Sequence, residues 1–442
     1  MRHSQRVLAL ASLAYIGFAA SPAFAGVLTV APTGASYTQI QAAVNAAGPG
    51  DVIMISPGSY TAVTINGKSL TLCSRSAGSV TIFGTTTVVN LTASQRVILS
   101  GLNGFGQPTV TTGAGAGAGL VVLNNAGHVR VETCVFTGAD GLGDGFSVTS
   151  GGCCWSPPEG VGRDGAYVDG NAQGVSFTAC EFQGGRASDS NLAFPICYCG
   201  SSQSGGSGLL IKSSLVSLYD CILRGGRGGH NGGEGGRGGS GGVLVNGLPI
   251  TAVCSSGSTF RGGKGGDGVD GISGYPGRGG NGLYLNTGTS ARLLDNAFVP
   301  GLPGFSWGWG GYAGLNITGG GVVHTDTESR LVMTTDRYAR AGSVVDLRLQ
   351  GAPGQQMKLI LSRASTFQIL ASWHGTMLSS PGKGSVVVPL GPIPASGVLQ
   401  TRYTVPPLPT GLGATSVFVQ AYRDDPILGP KLAAGSTITL LR

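Results

Sequence analysis

Alternating apolar and polar positions recur at a regular interval through the middle of the chain. A glycine, a short strand of alternating apolar residues, a turn and a second strand begin again six times, at a period of roughly 32 to 46 residues. Strands repeated at such a period without helices are typical of a stacked β architecture, because one repeat cannot bury its apolar face alone. We therefore predict a coil of rungs that share one core. The copies begin at Gly119, Gly165, Gly208, Gly242, Gly282 and Gly314, and four second strands align at residues 129–136, 175–182, 216–223 and 291–298.

The segment before the repeats has the spacing of a short helix at residues 37–47. Ile40, Val44 and Ala47 fall on one helical face, and Ser36 or Thr38 can cap the start. A Gly-Pro-Gly sequence then ends the helix, and residues 51–60 predict a buried strand followed by a turn.

This opening, at residues 40–60 and again at 65–72, resembles the start of pectin-lyase-like right-handed parallel β-helix proteins. In that family a short helix covers the open end of the first rung. The resemblance covers roughly residues 27–320 and implies the β-helix fold. It implies no particular activity, because enzymes and non-enzymes share this opening.

The pattern changes after residue 321, where Gly-Gly pairs become fewer and prolines more frequent. Short strands at 344–349, 357–361, 385–388, 416–421 and 436–440 predict a β-sandwich, and residues 408–421 resemble C-terminal sandwich modules of secreted bacterial proteins. The predicted fold class is all-β: a right-handed parallel β-helix over residues 26–320 with a short N-terminal capping helix, then a small β-sandwich over 321–442.

Composition and the first residues place this fold outside the cytoplasm. Charged residues make up only 11% of the chain and glycines number 81, as expected for a turn-rich β protein. Arg2 and Arg6, an apolar stretch at 7–20 and Ala23-Phe-Ala25 form a signal peptide over residues 1–25. No later segment is long and apolar enough to span a bilayer. We expect a protein that is secreted, bound at the cell surface or held in the periplasm.

Cysteines fall into two groups. Cys134, Cys180 and Cys221 occupy one position in three successive second strands. Stacked strands lie ~4.8 Å apart, whereas a disulfide prefers Cβ atoms ~3.8 Å apart, so these predict a ladder of buried thiols.

The remaining pairs lie in insertions on neighbouring rungs. Cys153 and Cys154 lie in one insertion, and Cys197 and Cys199 in the next. In an exported protein they predict one or two disulfides between adjacent loops. A four-thiolate zinc site is the alternative, although the spacing is not the usual Cys-x-x-Cys.

Candidate catalytic residues follow from the resemblance to the polygalacturonase branch of the fold. Its catalytic aspartates precede the glycine that opens a strand, where this chain has Asp164 and, less directly, Asp144. Hydrolysis needs two carboxylates roughly 5 to 9.5 Å apart, and no carboxylate stands at the Asp164 position on the next rung. A calcium-assisted lyase would use Asp144, Arg163 and Asp164, and this is the only case in which we expect a cofactor. The alternative is that these are turn residues satisfying backbone groups.

Two features indicate binding instead. The insertions at residues 224–242 and 261–282 carry six basic and three acidic residues, which is compatible with a polyanionic partner, or they are flexible or extended glycine loops. Trp307, Trp309 and Tyr312 can stack on sugar rings or pack the last rung against the next domain. Arg-Gly-Gly runs are found in RNA-binding proteins, but a signal peptide argues against nucleic acid.

The sequence therefore predicts a non-catalytic extracellular or cell-surface scaffold that binds glycans, with an extracellular polysaccharide or other polyanion as partner. A polysaccharide lyase or glycoside hydrolase acting on acidic polysaccharide is the alternative.

Overall fold

The computed structural model describes most of the chain, and half of the chain is strand (50%) with 3% helix. The predicted signal peptide lies outside the described residues, except for Ala25. The described residues are 25–442 without 109–113, 143–146, 149–153, 156–159, 190–202, 231–234, 248–250, 269–274, 307–308, 327, 383 and 426–428.

Ten parallel strands form the first ladder. Its register aligns Val129, Val175, Val216 and Val253, so equivalent side chains stand above one another from rung to rung. The strands, in spatial order, are β1 (Val27–Val30), β2 (Val52–Ile55), β4 (Leu70–Ser74), β6 (Arg96–Ser100), β9 (His128–Glu132), β14 (Val175–Thr178), β17 (Leu215–Tyr219), β20 (Ala252–Ser256), β23 (Ser290–Leu294) and β28 (Val322–Asp326).

Two further ladders share the long strands β3 (Gly58–Asn66) and β5 (Val80–Val89), and together they form one 14-stranded sheet. The second ladder continues through β7 (Leu102–Phe105), β10 (Val135–Thr137), β15 (Glu181–Gln183), β18 (Ile222–Arg224), β21 (Thr259–Arg261) and β24 (Ala297–Val299). The third continues through β8 (Leu120–Leu123), β13 (Ala166–Asp169), β16 (Leu209–Lys212), β19 (Gly242–Val245), β22 (Leu283–Leu285) and β27 (Ile317–Gly319).

The chain visits the three ladders in turn, for example through β14, β15, β16 and then β17. Helix α1 (Ile40–Ala46) lies at the first rung, where Ile40, Ala43 and Val44 are buried. The predicted cap of this helix was wrong: Gln39 precedes its first residue and its side chain makes no capping hydrogen bond. No helix among the described residues is long and apolar enough to cross a membrane.

The register corrects two of the six predicted repeat starts. Leu209 pairs with Gly242, so Gly241, not Gly242, is the equivalent of Gly208. Leu283 pairs with Ile317, so Asn316 takes the glycine position in the last copy and Gly314 lies two residues too early. The four aligned second strands are correct, and the structure adds a fifth copy through Val253 and Phe260.

Inward-facing side chains of the three ladders form one apolar core. Phe136 and Phe182 stack in parallel with ring centroids 6.3 Å apart, one rung above the other. Cys134, Cys180 and Cys221 also stand on successive rungs and are buried free thiols, as predicted. Burial raises the pKa of Cys134 to about 12, so the thiol form is favoured.

The central strands of the first ladder are buried on both faces because the C-terminal region packs against their outer side. Glu132 there forms a buried ion pair with Arg130, and its carboxylate accepts hydrogen bonds from the backbone N–H and hydroxyl of Thr437. The hydroxyl of Tyr219 accepts a hydrogen bond of 2.8 Å from the N–H of Thr376. The buried carboxylate of Glu132 needs its partners Arg130 and Thr437 to offset its lost hydration.

The C-terminal region consists mainly of antiparallel strands around a second apolar core. One sheet has three strands, in the order β29 (Val332–Thr335), β31 (Val344–Gln350) and β36 (Val398–Thr404). The other has five, in the order β30 (Tyr338–Arg340), β38 (Lys431–Leu441), β37 (Ala414–Arg423), β32 (Gln356–Ser362) and β35 (Ser385–Pro392). Three two-stranded pairs complete the strands. Two lie in insertions of the parallel region: β11 (Ser147–Val148) with β12 (Cys154–Trp155), and β25 (Phe305–Ser306) with β26 (Trp309–Gly310). The third lies in the C-terminal region and pairs β33 (Ser365–Leu370) with β34 (Gly375–Ser379), which a 3-10 helix (Ala371–Trp373) connects.

The glycine-rich insertions form a hydrogen-bonded plate of two layers. Outgoing segments leave the second ladder at 138–142, 184–189, 225–230, 262–268 and 300–306, and returning segments reach the third ladder at 160–165, 203–208, 235–241, 275–282 and 309–316. Exposure repeats every third residue: Arg224, Arg227 and His230 are partly exposed, whereas the glycine pairs between them are buried. Three residues per turn is the geometry of polyproline II. We call these segments the glycine plate.

Each glycine pair of the plate donates in two directions. The first glycine bonds to the next rung of its own layer, as in Gly225 N–H to Arg261 O at 2.8 Å. The second bonds across to the other layer, as in Gly226 N–H to Gly206 O at 2.8 Å. Across the plate these bonds form an unbroken series through Gly185, Gly206, Gly226, Gly239, Gly263, Gly280, Gly301 and Gly314.

Close backbone approach explains why these positions are glycine. A Cβ on Gly226 would overlap the carbonyl oxygen of Gly185 and lie 2.6 Å from its carbon. Backbone atoms fixed by hydrogen bonds to both layers cannot move away cheaply.

We predict that Gly226→Ala destabilises the protein by about 1–3 kcal/mol, the usual cost of overpacking a closely packed site. Gly310→Ala is the matched control, because a Cβ on Gly310 meets nothing within 4 Å. Thermal and denaturant unfolding of both variants check this. Equal stability of the two variants would contradict the plate.

Candidate functional site

The third-residue positions of the glycine plate carry the side chains that face solvent. On the returning layer, Gly205 N–H bonds to Arg237 O and Gly238 N–H to Arg278 O, so the two arginines lie one rung apart. Gly279 N–H bonds to Tyr312 O, which places Tyr312 next in the same column. Both arginines are exposed, and Tyr312 is 78% exposed. Tyr275 is also exposed on a returning segment. We call Arg237, Arg278, Tyr275 and Tyr312 the returning-face patch.

The charges of this patch are not neutralised within the described residues, where neither Arg237 nor Arg278 forms an ion pair. Arginines one rung apart lie ~4.8 Å from backbone to backbone, so their charges repel one another. An anionic ligand would relieve this repulsion, and the attraction would weaken with added salt.

The outgoing face also carries basic residues, and three of these meet carboxylates. Arg227 binds both oxygens of Asp189 at 2.9 and 2.7 Å, Arg224 pairs with Glu181 at 3.3 Å, and Lys264 with Asp267 at 2.9 Å. Burial works against the ionised form of Asp267, but the hydrogen bond from Lys264 and that from the Phe305 N–H hold its pKa below the ordinary value. Arg186 and Arg261 on this face are exposed and form no ion pair among the described residues.

A second role of the polar side chains is to cap the backbone. The N–H groups of the glycines donate to backbone carbonyls. At several rungs, the N–H of the third residue donates instead to a side-chain oxygen on the preceding rung. The acceptor–donor pairs are Asp140 Oδ1 with Arg186 N at 2.7 Å, Asp164 Oδ1 with Ser207 N at 2.8 Å, Asp189 Oδ1 with His230 N at 2.9 Å, Asp267 Oδ1 with Phe305 N at 2.7 Å and Asn281 Oδ1 with Leu315 N at 2.9 Å.

Asp164, the main catalytic candidate from the sequence, belongs to this series of caps. Burial raises its pKa to about 6, while the hydrogen bonds from Ser207 and the charge of Arg163 act in the opposite direction. Arg163 lies beside it in the same returning segment, and its carbonyl accepts the N–H of Gly185 at 2.7 Å. Asp144 lies outside the described residues, so the proposed trio stays a prediction. No group of three or more His, Cys, Asp or Glu side chains in the described part of the chain is arranged to hold a metal ion.

The loop cysteines also fall largely outside the description. Cys153, Cys197 and Cys199 lie there, and Cys154 lies in β12 with its side chain undescribed. The flanks of the two loops are adjacent, since Gly141 N–H bonds to Arg186 O at 2.8 Å and Ser188 N–H to Gly160 O at 2.9 Å. Pairing of these cysteines stays a prediction.

The aromatic candidates from the sequence also lie partly outside the described residues. Trp307 lies outside the described residues, Trp309 lies in β26 with its side chain undescribed, and Tyr312 lies in the returning-face patch. The sequence did not indicate Tyr275, nor that Arg237 and Arg278 lie one rung apart in the same column. The available signal was the three-residue period in Arg224-Gly-Gly-Arg-Gly-Gly-His, which places side chains on one edge of each segment.

Comparisons with known proteins identify no family. No family model and no curated protein matches the chain. Among solved structures, it is similar to superoxide reductase (neelaredoxin) from Ignicoccus hospitalis at 10% identity and TM-score 0.15, over 25% of this chain and 80% of that one. It is also similar to the enzymatically active domain of tailspike protein 4 of bacteriophage CBA120, at 10% identity and TM-score 0.17, over 91% of this chain and 65% of that one. Such TM-scores carry no argument about function. The class defined here is a mostly β protein with large parallel sheets.

We predict that the raised pKa of Asp164 makes stability fall with pH. The folded carboxyl binds its proton more tightly than the unfolded one, whose pKa is near 3.8, so the folded state holds more protons between pH 4 and pH 6. Relative to Asp164→Asn, which keeps an acceptor oxygen, the wild type should lose about 2–3 kcal/mol between pH 4 and pH 7. Denaturant unfolding of both proteins across this range measures the difference. Parallel stability curves would contradict it.

Proposed function

We propose that this protein is an exported, non-catalytic scaffold that binds acidic polysaccharide through the returning-face patch. Residues 1–25 act as the signal peptide, and the mature chain works outside the cell, at the surface or in the periplasm. The ladders close into a right-handed parallel β-helix of the pectin-lyase-like type, and a C-terminal β-sandwich covers the first ladder.

The observation that carries the proposal is the pair Arg237 and Arg278, which form no ion pair within the described residues, beside exposed Tyr275 and Tyr312. The planar guanidinium forks match carboxylate or sulfate groups, and their spacing along the rungs suits charges that repeat along a polymer. The flat tyrosine rings offer an apolar surface with a polar tip, which is compatible with the face of a sugar ring.

The patch lies on a rigid support. Backbone hydrogen bonds in two directions hold each returning segment, so little conformational freedom is lost when a ligand binds. The same backbone bonds make the charged side chains dispensable for folding, which allows them to be changed individually.

The second candidate is a polysaccharide lyase or glycoside hydrolase using Asp144, Arg163 and Asp164. The raised pKa of Asp164 favours it, because an acid catalyst must hold a proton near neutral pH. The cap that Asp164 provides for Ser207 explains the same residue without catalysis, and this is why binding is the preferred function.

We predict that Arg237→Gln with Arg278→Gln weakens binding to acidic polysaccharides such as polygalacturonate about tenfold and flattens the salt dependence of binding. Arg340→Gln with Arg348→Gln removes the same charge from exposed positions in the C-terminal region that form no ion pair among the described residues, and serves as the control. Calorimetry at two salt concentrations, against charged and neutral polysaccharides, measures the affinities.

The proposal would be overturned if the variant with Arg237→Gln and Arg278→Gln bound with wild-type affinity. It would also be overturned if the wild type bound no charged polysaccharide. The same mixtures, with and without calcium, should release no unsaturated or reducing-end product. Turnover that Asp164→Asn abolishes would establish the enzyme instead.

A further inference from the structure

The last rung of the parallel ladders differs from every earlier one in its surface chemistry. Six exposed large apolar side chains border it, between 44% and 78% exposed. These six make up half of the twelve exposed large apolar residues in the described part of the chain. They are Val299, Leu302, Phe305, Tyr312, Leu315 and Val322. We call this set the end rim.

The equivalent positions one rung earlier are all polar. Strand pairing matches Val299 with Arg261 and Val322 with Ser290, and the hydrogen bonds of the plate match Leu302 with Lys264. The remaining matches are Phe305 with Asp267, Tyr312 with Arg278 and Leu315 with Asn281. A change from polar to apolar at six matched positions marks a surface that is covered in use, because scattered exposed apolar residues do not follow one rung.

The end face inside this rim is uncapped within the described residues. Strands β24, β27 and β28 each end a ladder, so each has one edge without a neighbouring strand. Phe298, Ile317 and Val323 from these strands pack against the core but stay partly exposed. The first rung, in contrast, is covered by helix α1. Open strand edges with an apolar core behind them favour a further contact.

Charge and hydrogen-bonding groups favour a second copy as the occupant. Residues 297–323 contain no Asp, Glu, Lys, Arg or His, so contact between two copies brings no like charges together at this surface. Pro300 and Pro303 follow Val299 and Leu302, where earlier rungs have Gly262 and Gly265 donating to the next rung. Burial of this edge therefore leaves no unpaired N–H at those two positions.

Symmetry agrees with a dimer. The end rim together with Phe298, Ile317 and Val323 gives nine exposed or partly exposed apolar side chains per copy. Contact between two identical last rungs is self-complementary and closes after two copies, because α1 covers the other end of each.

We propose that the last rung is a self-association surface, through which two copies of this chain pack end to end about a twofold axis. This assembly does not depend on glycan binding. It covers Tyr312, which belongs to both surfaces, and leaves Arg237, Arg278 and Tyr275 of each copy for a glycan.

Sedimentation velocity of the full chain tests the dimer. Val299→Arg with Leu302→Lys copies the residues of the preceding rung, so the fold is kept while like charges meet across the axis. We expect a dissociation constant at least about a hundredfold higher than that of the wild type. Val344→Arg with Val387→Lys adds the same charges at exposed valines of the C-terminal region and should leave the dimer unchanged.

Charge complementation supplies a second measurement. A variant with Val299→Glu and Leu302→Glu should be monomeric alone, and mixing it with the Arg/Lys variant should restore a dimer of one copy each. A wild-type chain that is monomeric at its highest soluble concentration, an open series of larger oligomers, or an Arg/Lys variant that dimerises like the wild type would overturn the proposal.

Discussion

Hydrogen bonds between successive rungs hold the parallel ladders and the glycine plate in register. In the three ladders they join strands whose apolar side chains share one core, and in the plate they join glycine segments that have almost no side chains to bury. Both cases follow from one constraint, that a backbone N–H or C=O removed from water needs a partner. Where apolar side chains are absent, the backbone satisfies this constraint in two directions, and only glycine permits the close approach.

The proposed function follows from how side chains are arranged on this lattice. Each third position of the plate is free to vary, because its side chain faces solvent while the glycines maintain the contacts. Asp164 and Asp267 use the position to cap a backbone N–H, and Arg227 uses it for an ion pair. Arg237 and Arg278 form no ion pair there within the described part of the chain. The last rung uses the same positions for apolar residues. One scaffold thus carries a charged surface and an apolar one without changing its backbone.

The sequence predicted the parts of the fold that depend on side-chain alternation. Val129, Val175 and Val216 align as expected, and the buried thiols of Cys134 and Cys180 stack because a shared position in the repeat becomes a column. The repeat starts failed at Gly242 and Gly314, where dense glycine offers several equivalent matches and Asn316 replaces the expected glycine. Apolar periodicity carries no information in such segments.

The covered face of the first ladder was missed for a related reason. Its outward positions hold small polar residues such as Thr178 and Ser217 together with Arg130 and Glu132, which a sequence pattern assigns to solvent. They are buried because the C-terminal region supplies partners, including the carbonyl of Gly435 for Thr178 at 3.3 Å. Long-range pairing of this kind is invisible to local patterns.

Hydrogen–deuterium exchange of the plate glycines tests the central claim most directly. If the insertions form a backbone lattice, the amides of Gly226, Gly239, Gly263 and Gly280 should be protected as strongly as those of the central strands β14 and β17. Exchange of these glycines at the rate of an unstructured chain, while β14 and β17 stay protected, would show that the insertions are flexible loops and would contradict the account.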